Sequence, residues 1–310
     1  MSKRRFSFAD ITRLTRSESA AIALAEKLRW GSEIACHRCE SKDITRFADR
    51  PGRYRCRTCG RQFSIRTGTP MEQSKLPVSV WMRALWLIVS SSKGILSLKL
   101  GEMLGIQQRS AWFLAHRVRK MMAWLVRRPI AGAIVELDEV YAGAPPRQKA
   151  GGGPSGAPSG RGPRRPLVLT AAVRGGEARM KVIGSHSRAE IEPATREMVS
   201  GADTFTTDAL PAYGFLGSDR RTVKHSAKEF ARTDPDGISV HVNTVEGIHG
   251  ELRRMVVGVH HWISPKHLQR YLDDLSFRRS LRALDAWAKM RIALTGRGRL
   301  HYAHLVGIPF

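Results

Sequence analysis

Residues 133–140 read AIVELDEV. Ile134, Val135, Leu137 and Val140 make this an apolar, β-branched run, the composition of a strand buried in a sheet. Three carboxylates lie inside it. Side chains alternate along a strand, so Glu136 and Asp138 share one face and Glu139 takes the other. A carboxylate in a buried strand is costly unless it is paired or holds a metal. Asp138, with apolar flanks, is therefore the first candidate for chemistry.

The chain downstream of this strand changes character. Residues 142–166, AGAPPRQKAGGGPSGAPSGRGPRRP, contain Gly and Pro throughout, five basic residues and no acid. Such a segment cannot pack a core and reads as a mobile loop. LVLTAAVR (167–174) and ARMKVIG (178–184) then read as a hairpin around Gly175-Gly176. Ser187 is placed to cap a helix over 188–200. DTFTTD (203–208) reads as a strand that ends on Asp208, and RTVKHS (221–226) as a further strand. Residues 243–256 and 265–284 read as helices. In HVNTVEGIHGELRR (241–254), Asn243 and Glu246 are three apart on one helical face, and Arg253 follows seven residues after Glu246 on the same face.

Phosphodiester chemistry by two metal ions needs hard oxygen ligands, usually from several elements. Asp138, Asp208 and either Asn243 or Glu246 form such a set: strand acid, strand acid, helix donor. Each also has an ordinary reading. Asp208 fits as the cap of a following turn, and Glu246 as a surface partner of Arg253. Asn offers one neutral carbonyl oxygen and Glu a charged carboxylate, which favours Glu246 on metal chemistry alone.

Upstream, residues 8–30 read as one amphipathic helix closed by Trp30. All four cysteines follow within 24 residues, as Cys36-x-x-Cys39 and Cys56-x-x-Cys59. Each pair brings two thiolates to one ion, the spacing of a structural zinc site with no open coordination position. Arg38, Lys42, Arg46, Arg50, Arg53, Arg55, Arg57 and Arg61 line the same segment and suit phosphates. Residues 78–92 read as an apolar helix. Leu96–Leu104 and Gln108–Leu125 are helical patterns joined by Leu104-Gly105-Ile106, a helix-turn-helix pattern. Its second helix is expected to turn Gln108, Arg109, Arg117, Arg119 and Lys120 toward DNA.

The whole chain agrees with these readings. It has 310 residues, 42% of them hydrophobic, which excludes wholesale disorder. Four cysteines are too few for a disulfide-stapled scaffold. The net charge of +25 implies a polyanionic partner. Residues 1–130 hold 26 Lys+Arg against 9 Asp+Glu, so most of the excess lies in the first part. No run of eighteen apolar residues suggests a membrane span, and MSKRRFSFADITRL lacks the apolar core of a signal peptide. A cytoplasmic protein that meets nucleic acid is the expectation.

These motifs, in this order, resemble the bacterial insertion-sequence transposases that carry an N-terminal zinc ribbon and a DDE-type, RNase H-like catalytic domain. The matching pieces are CHRC and YRCRTCGRQFSIRTGT within 36–69, the helices of 78–122, ELDEVYAG (136–143), TFTTDALPAYG (204–214), VKHS (223–226), HVNTVEGIHGELRR (241–254) and ISPKHLQRYLDDLSFRRS (263–280). The resemblance implies an α+β or α/β multidomain chain. Its parts would be an N-terminal helix (1–30), a zinc ribbon (31–70), a helix-turn-helix region (76–128), an RNase H-like mixed sheet with flanking helices (131–285) and a C-terminal tail (286–310). It implies structural Zn²⁺ on Cys36, Cys39, Cys56 and Cys59, and two catalytic Mg²⁺ ions on Asp138 and Asp208. One branch of the family writes the third ligand as Asn, which points to Asn243, whereas the metal chemistry points to Glu246. Arg253 falls where the family usually has a Lys that contacts terminal phosphates or flanking DNA. The implied activity is cleavage at transposon ends and 3′-OH strand transfer, with double-stranded DNA as partner and a homo-oligomer assembled on it. A zinc-ribbon DNA-binding regulator, a domesticated inactive transposase, and a nuclease or resolvase on the same fold are the competing readings.

Overall fold

A computed structural model describes residues 6–142, 165–224 and 227–307. The basic Gly/Pro loop (all but its ends) and His225 lie outside the described residues. The chain divides into two compact units, one made of Met1–Leu125 with Leu281–Phe310 and the other of Val126–Ser280. Among the described residues no helix is long and apolar enough to cross a membrane.

In the first unit, α1 (Phe8–Leu14) and α2 (Glu18–Trp30) replace the single helix expected over 8–30. The break has a local cause. The Thr15 hydroxyl turns back to the Ile11 carbonyl at 2.7 Å, and Ser17 starts a new helix by accepting the Ala20 N–H at 3.2 Å. Strands β1 (Ile44–Arg46), β2 (Arg53–Cys56) and β3 (Gln62–Ser64) form an antiparallel sheet in that order. Trp30, Tyr54 and Phe63 pack as its core. Helix α3 (Val78–Ser90) begins after Pro77, which offers no side-chain cap. Glu18 of α2 supplies it from a distance, accepting the N–H groups of Val78 and Ser79 at 2.6 and 3.1 Å. Helices α4 (Ser97–Leu104) and α5 (Gln108–Val126) are the expected helix-turn-helix. Gly105 ends α4 with φ of +65°, a left-handed conformation that suits glycine.

The second unit is built on a five-stranded mixed sheet. Its elements run β4 (Ile130–Tyr141), β5 (Leu167–Val173), β6 (Ala178–Ile183), α6 (Arg188–Met198) and β7 (Val199–Asp208), then a 3-10 segment (Pro211–Asp219) and β8 (Arg220–Val223). The strand order is β6-β5-β4-β7-β8. The first three strands are antiparallel neighbours, and β4-β7-β8 run parallel. A small ribbon, β9 (Ala231–Thr233) with β10 (Ser239–His241), leads into α7 (Asn243–Met255) and α8 (Pro265–Ser280). This is the RNase H-like arrangement expected from the sequence. Both sheet faces are covered. On one, Val140, Val168, Ala172 and Met180 pack against Ile248 and Leu252 of α7 and Leu272 and Leu275 of α8. On the other, Val135, Leu137 and Leu169 pack against Ile191 and Met198 of α6. Ser187 does stand at the N-cap of α6, but its side chain makes no capping bond, and Ser185 donates to it instead. That helix ends at Met198, two residues short of the expected end, because Val199 already begins β7.

The segment read as a C-terminal tail is helical. Helix α9 (Ala286–Ala293) opens with an Asp285 cap on Ala288 N–H at 2.9 Å, and α10 (Tyr302–Val306) follows. Met290, Ala293, Leu294 and Leu300 are buried in the first unit. Gly296 lies so close to α5 that a Cβ there would sit 2.6 Å from the Met121 backbone.

Candidate active site and zinc centre

The two Cys-x-x-Cys turns place four thiols in one cluster. Their sulfurs all lie within 4.8 Å of one another, with Cys36 Sγ 3.7 Å from Cys59 Sγ and Cys39 Sγ 3.6 Å from Cys56 Sγ. A tetrahedron with Zn–S bonds of about 2.3 Å has edges of about 3.8 Å. A disulfide would need about 2.05 Å. The cysteines therefore fit one tetrahedral zinc. The turns are alike: Glu40 N–H reaches the Cys36 carbonyl and Gly60 N–H the Cys56 carbonyl, both at 2.9 Å. Both turn residues have positive φ, which Gly60 adopts freely and Glu40 adopts at +58°.

Strand β2 alternates. Tyr54 and Cys56 point inward, and Arg53 and Arg55 point to solvent. Arg38, Lys42, Arg46, Arg50, Arg57 and Arg61 are exposed as well, so all eight basic residues expected to suit phosphates in the ribbon are accessible. The helix-turn-helix is less generous. Gln108 and Arg109 are exposed at the start of α5, where Gln108 Nε2 donates to Ser97 Oγ at 3.0 Å and Arg109 Nε to the Tyr302 hydroxyl at 2.9 Å. Lys120 is half-buried. Arg117 and Arg119 correct the expectation, because both are buried. Arg117 donates to the Glu72 carbonyl at 2.8 Å and lies over the Phe113 ring at 4.6 Å. Its stem and its charge serve packing.

The acidic set assembles at the carboxyl ends of two adjacent parallel strands. Glu136 of β4 is paired with Thr206 of β7 in the parallel register. Two residues further along each strand stand Asp138 and Asp208, on matching positions. Glu246 brings a third carboxylate from the first turn of α7. Burial pushes the Asp138 carboxyl up to about 7, and the negative charges of Glu139, Asp208 and Glu246 push the same way. Glu139 is also raised to about 7, by burial first and by Asp208. It sits on the opposite sheet face, where the Tyr213 hydroxyl donates to it. Like charges gathered in partial burial are the donor chemistry of a hard divalent cation. Among the described residues, only the cysteines close to within 4.8 Å as a group of three or more such ligands, so the acids form a wider set.

Asp208 has its ordinary role too, since Oδ1 accepts the Leu210 N–H at 3.0 Å. Asn243 is the first residue of α7 and is exposed, and its backbone N–H donates to His241 Nδ1 at 3.3 Å. Arg253 is exposed on the same helix.

Three residues of this neighbourhood, and the partners of a fourth, Glu136, escape a reading of the sequence. His249 Nδ1 lies 3.6 Å from Asp138 Oδ2, while Nε2 is 3.1 Å from the Thr170 hydroxyl. Burial, with the Arg253 charge, pushes His249 down to about 4 and keeps it neutral at pH 7. Its signal was a histidine set into the apolar stripe Val245, Ile248, Leu252. Tyr213, fully buried, is the partner of Glu139. Glu136 and Arg174 form an ion pair at 2.9 Å beneath α7.

A zinc ribbon and a doubly covered RNase H-like sheet in one chain, with acids toward the ends of the sheet's central parallel strands, define a class of proteins that process nucleic acid. Sequence comparison narrows the class. A model described as the ISXO2-like transposase domain matches residues 129–280, and one described as the transposase zinc-ribbon domain matches residues 16–62. The chain belongs to the insertion-sequence transposases that these two domains characterise, and so to the DNA-modifying enzymes. It is similar to an uncharacterized protein in transposable element ISH50 of Halobacterium salinarum, at 26% identity over 280 residues, covering 86% of this chain and 92% of that protein. No solved structure matches the chain.

Proposed function

We propose that this chain binds the terminal inverted repeats of its own insertion sequence and catalyses Mg²⁺-dependent strand cleavage and 3′-OH strand transfer. One observation carries the reading: Asp138 and Asp208 share a level on adjacent parallel strands, and Glu246 of α7 adds its charge to theirs.

In this reading Asp138 and Asp208 hold the metal, and Glu246 is the third ligand, with the Asn243 carbonyl one turn earlier as the alternative donor. When bound by these residues, two Mg²⁺ ions would supply activation of the attacking oxygen and stabilisation of the leaving one. The protein's own groups do the rest. His249, held by Thr170, orients the Asp138 carboxylate. Arg253 offers a planar fork to a phosphate, in place of the lysine usual in relatives. Arg38, Arg53, Arg55, Arg57 and Arg61 of the ribbon, with Gln108, Arg109 and Lys120 of the helix-turn-helix, hold the transposon end. No side chain bonds covalently to DNA, because water and then the freed 3′-OH are the nucleophiles. Residues 31–70 and 76–128 are the DNA-reading parts and 131–285 the catalytic domain. Two or more chains pair two ends on nucleoid DNA in the cytoplasm.

The test is an assay of cleavage and joining on DNA carrying the element's ends, in Mg²⁺. Wild type should give joined products, and Asp138→Ala and Asp208→Ala should give none while binding the ends. Specific binding without cleavage in Mg²⁺ or Mn²⁺ would leave a DNA-binding regulator or an inactive descendant. Cleavage without joining would leave a nuclease.

A further inference from the structure

Helix α7 starts without a cap of its own. Val242 occupies the N-cap position and has no side-chain acceptor. The first N–H groups of a helix need partners, and here they find them 108 residues away. Glu136 Oε2 accepts the N–H of Thr244 at 2.7 Å and of Val245 at 3.2 Å, and Oε1 accepts the Thr244 hydroxyl at 2.9 Å. Arg174 Nε donates to Oε1 at 2.9 Å, and His241 Nδ1 stands 3.3 Å from it. The Glu136 side chain has no solvent exposure. Its two oxygens thus accept four hydrogen bonds, two each, as a buried carboxylate requires.

Arg174 extends the bracket. Its Nη1 donates to the Ser239 carbonyl at 2.7 Å and its Nη2 to the His241 carbonyl at 3.3 Å. The pair therefore clamps residues 239–245 onto β4. Two residues past Glu136 on the same strand face lies Asp138, and one residue past Val245 lies Glu246. We infer that Glu136 is a positioning residue: with Arg174 it fixes the start of α7 against β4, and so sets the spacing between Asp138 and the Asn243/Glu246 pair. This rests on the reading of Asp138 and Glu246 as metal-holding residues. An acceptor such as Ser or Asp at Val242 would cap the helix equally well, but would not tie it to the strand that carries Asp138.

The experiment uses the full-length, zinc-loaded protein and Mn²⁺ as the probe. Wild type, Glu136→Gln and Asp138→Ala are compared by amide hydrogen exchange over 240–250, by Mn²⁺ affinity from electron paramagnetic resonance, and by single-turnover cleavage of end DNA. Glu136→Gln should speed exchange at Thr244 and Val245 at least ten-fold and weaken Mn²⁺ at least ten-fold. It should slow cleavage by a similar factor, in part recovered at high Mn²⁺, with end-DNA Kd within two-fold of wild type. Should Glu136→Gln fold poorly, Arg174→Met takes its place with the same expected pattern. Faster exchange with unchanged Mn²⁺ affinity and cleavage would make Glu136 a helix cap only and overturn the inference. Unchanged exchange would overturn it too. Mn²⁺ binding that is absent from wild type, or unaffected in Asp138→Ala, would instead sink the metal-centre reading and the positioning role with it, whatever the exchange shows.

Discussion

His249 Nδ1 stands 3.6 Å from Asp138 Oδ2, and the other ring nitrogen is held at 3.1 Å by the hydroxyl of Thr170. Thr170 is itself the β5 partner of Asp138 across the antiparallel ladder. The ring is thus fixed between the strand that bears Asp138 and its neighbour. Being neutral, it stands beside the carboxylate without competing with a cation for its charge, as the orienting role proposed for it requires.

Replacing His249 tests that role. Outer partners of metal-holding groups typically contribute about 10–100-fold in affinity or activity. His249→Ala is expected to lower the cleavage rate by about that factor while end-DNA Kd stays within two-fold. A rate equal to wild type in a single-turnover assay would dismiss it.

The raised carboxyls predict a pH-dependent stability in magnesium-free buffer with zinc retained. Asp138 folds with its carboxyl near 7 and unfolds with it near the usual carboxylate value. Between those values the folded state binds the extra proton, so stability falls as pH rises through the window. Asp138→Asn removes the liability. It should raise the melting temperature of the second unit at pH 8, by about 1–3 kcal/mol or several degrees. The gain should vanish near pH 4. A thermal melt showing no gain at pH 8 would contradict the burial of this carboxyl.

Zinc removal should act on the first unit alone. Cys56→Ser is expected to abolish stoichiometric zinc by elemental analysis and to weaken end-DNA binding at least ten-fold. Asp138-dependent Mn²⁺ binding should persist. Loss of Mn²⁺ binding in Cys56→Ser would refute this independence.

Arginines of the ribbon and of the helix-turn-helix should separate by salt dependence. Arg55→Ala should reduce the slope of log K against log salt by about 0.9, the effect of one lost phosphate contact. Arg117→Ala should leave the slope unchanged and destabilise the fold by about 1–3 kcal/mol. Binding titrations at several salt concentrations, with melting curves alongside, decide both.

The sequence carried the elements well where their signals were local. The apolar flanks of Asp138 announced a buried strand, the Cys-x-x-Cys spacing a zinc cluster, and Gly105 the turn between α4 and α5. It was silent where a side chain's partner lies far along the chain. Glu136 looked like a second acid beside Asp138, because Thr244, Val245 and Arg174 are not its neighbours in sequence. Arg117 and Arg119 looked like DNA contacts because charge suggests solvent, while their burial depends on packing against distant segments. The break at 15–17 was readable in Ser17, a good N-cap, but the apolar periodicity running through it hid the stop. The segment read as a tail holds the short helices α9 and α10, whose apolar positions gain meaning only against α3 and α5 of the same unit.

The first unit is written in two pieces, with the whole of the second unit between them. Met290, Ala293 and Leu294 fill its core, and Gly296 closes on the Met121 backbone. In the order of synthesis, the segment that completes the first unit therefore follows the whole of the second. Residues 1–125 wait, incomplete, until 126–280 have emerged and can fold as a unit, and only residues 281 onward complete the earlier core. A nascent chain made only to residue 280 would hold the whole five-stranded sheet of the second unit and an unfilled core in the first. A fully assembled first unit thus reports that the segment bearing Asp138, Asp208 and Glu246 has already been made.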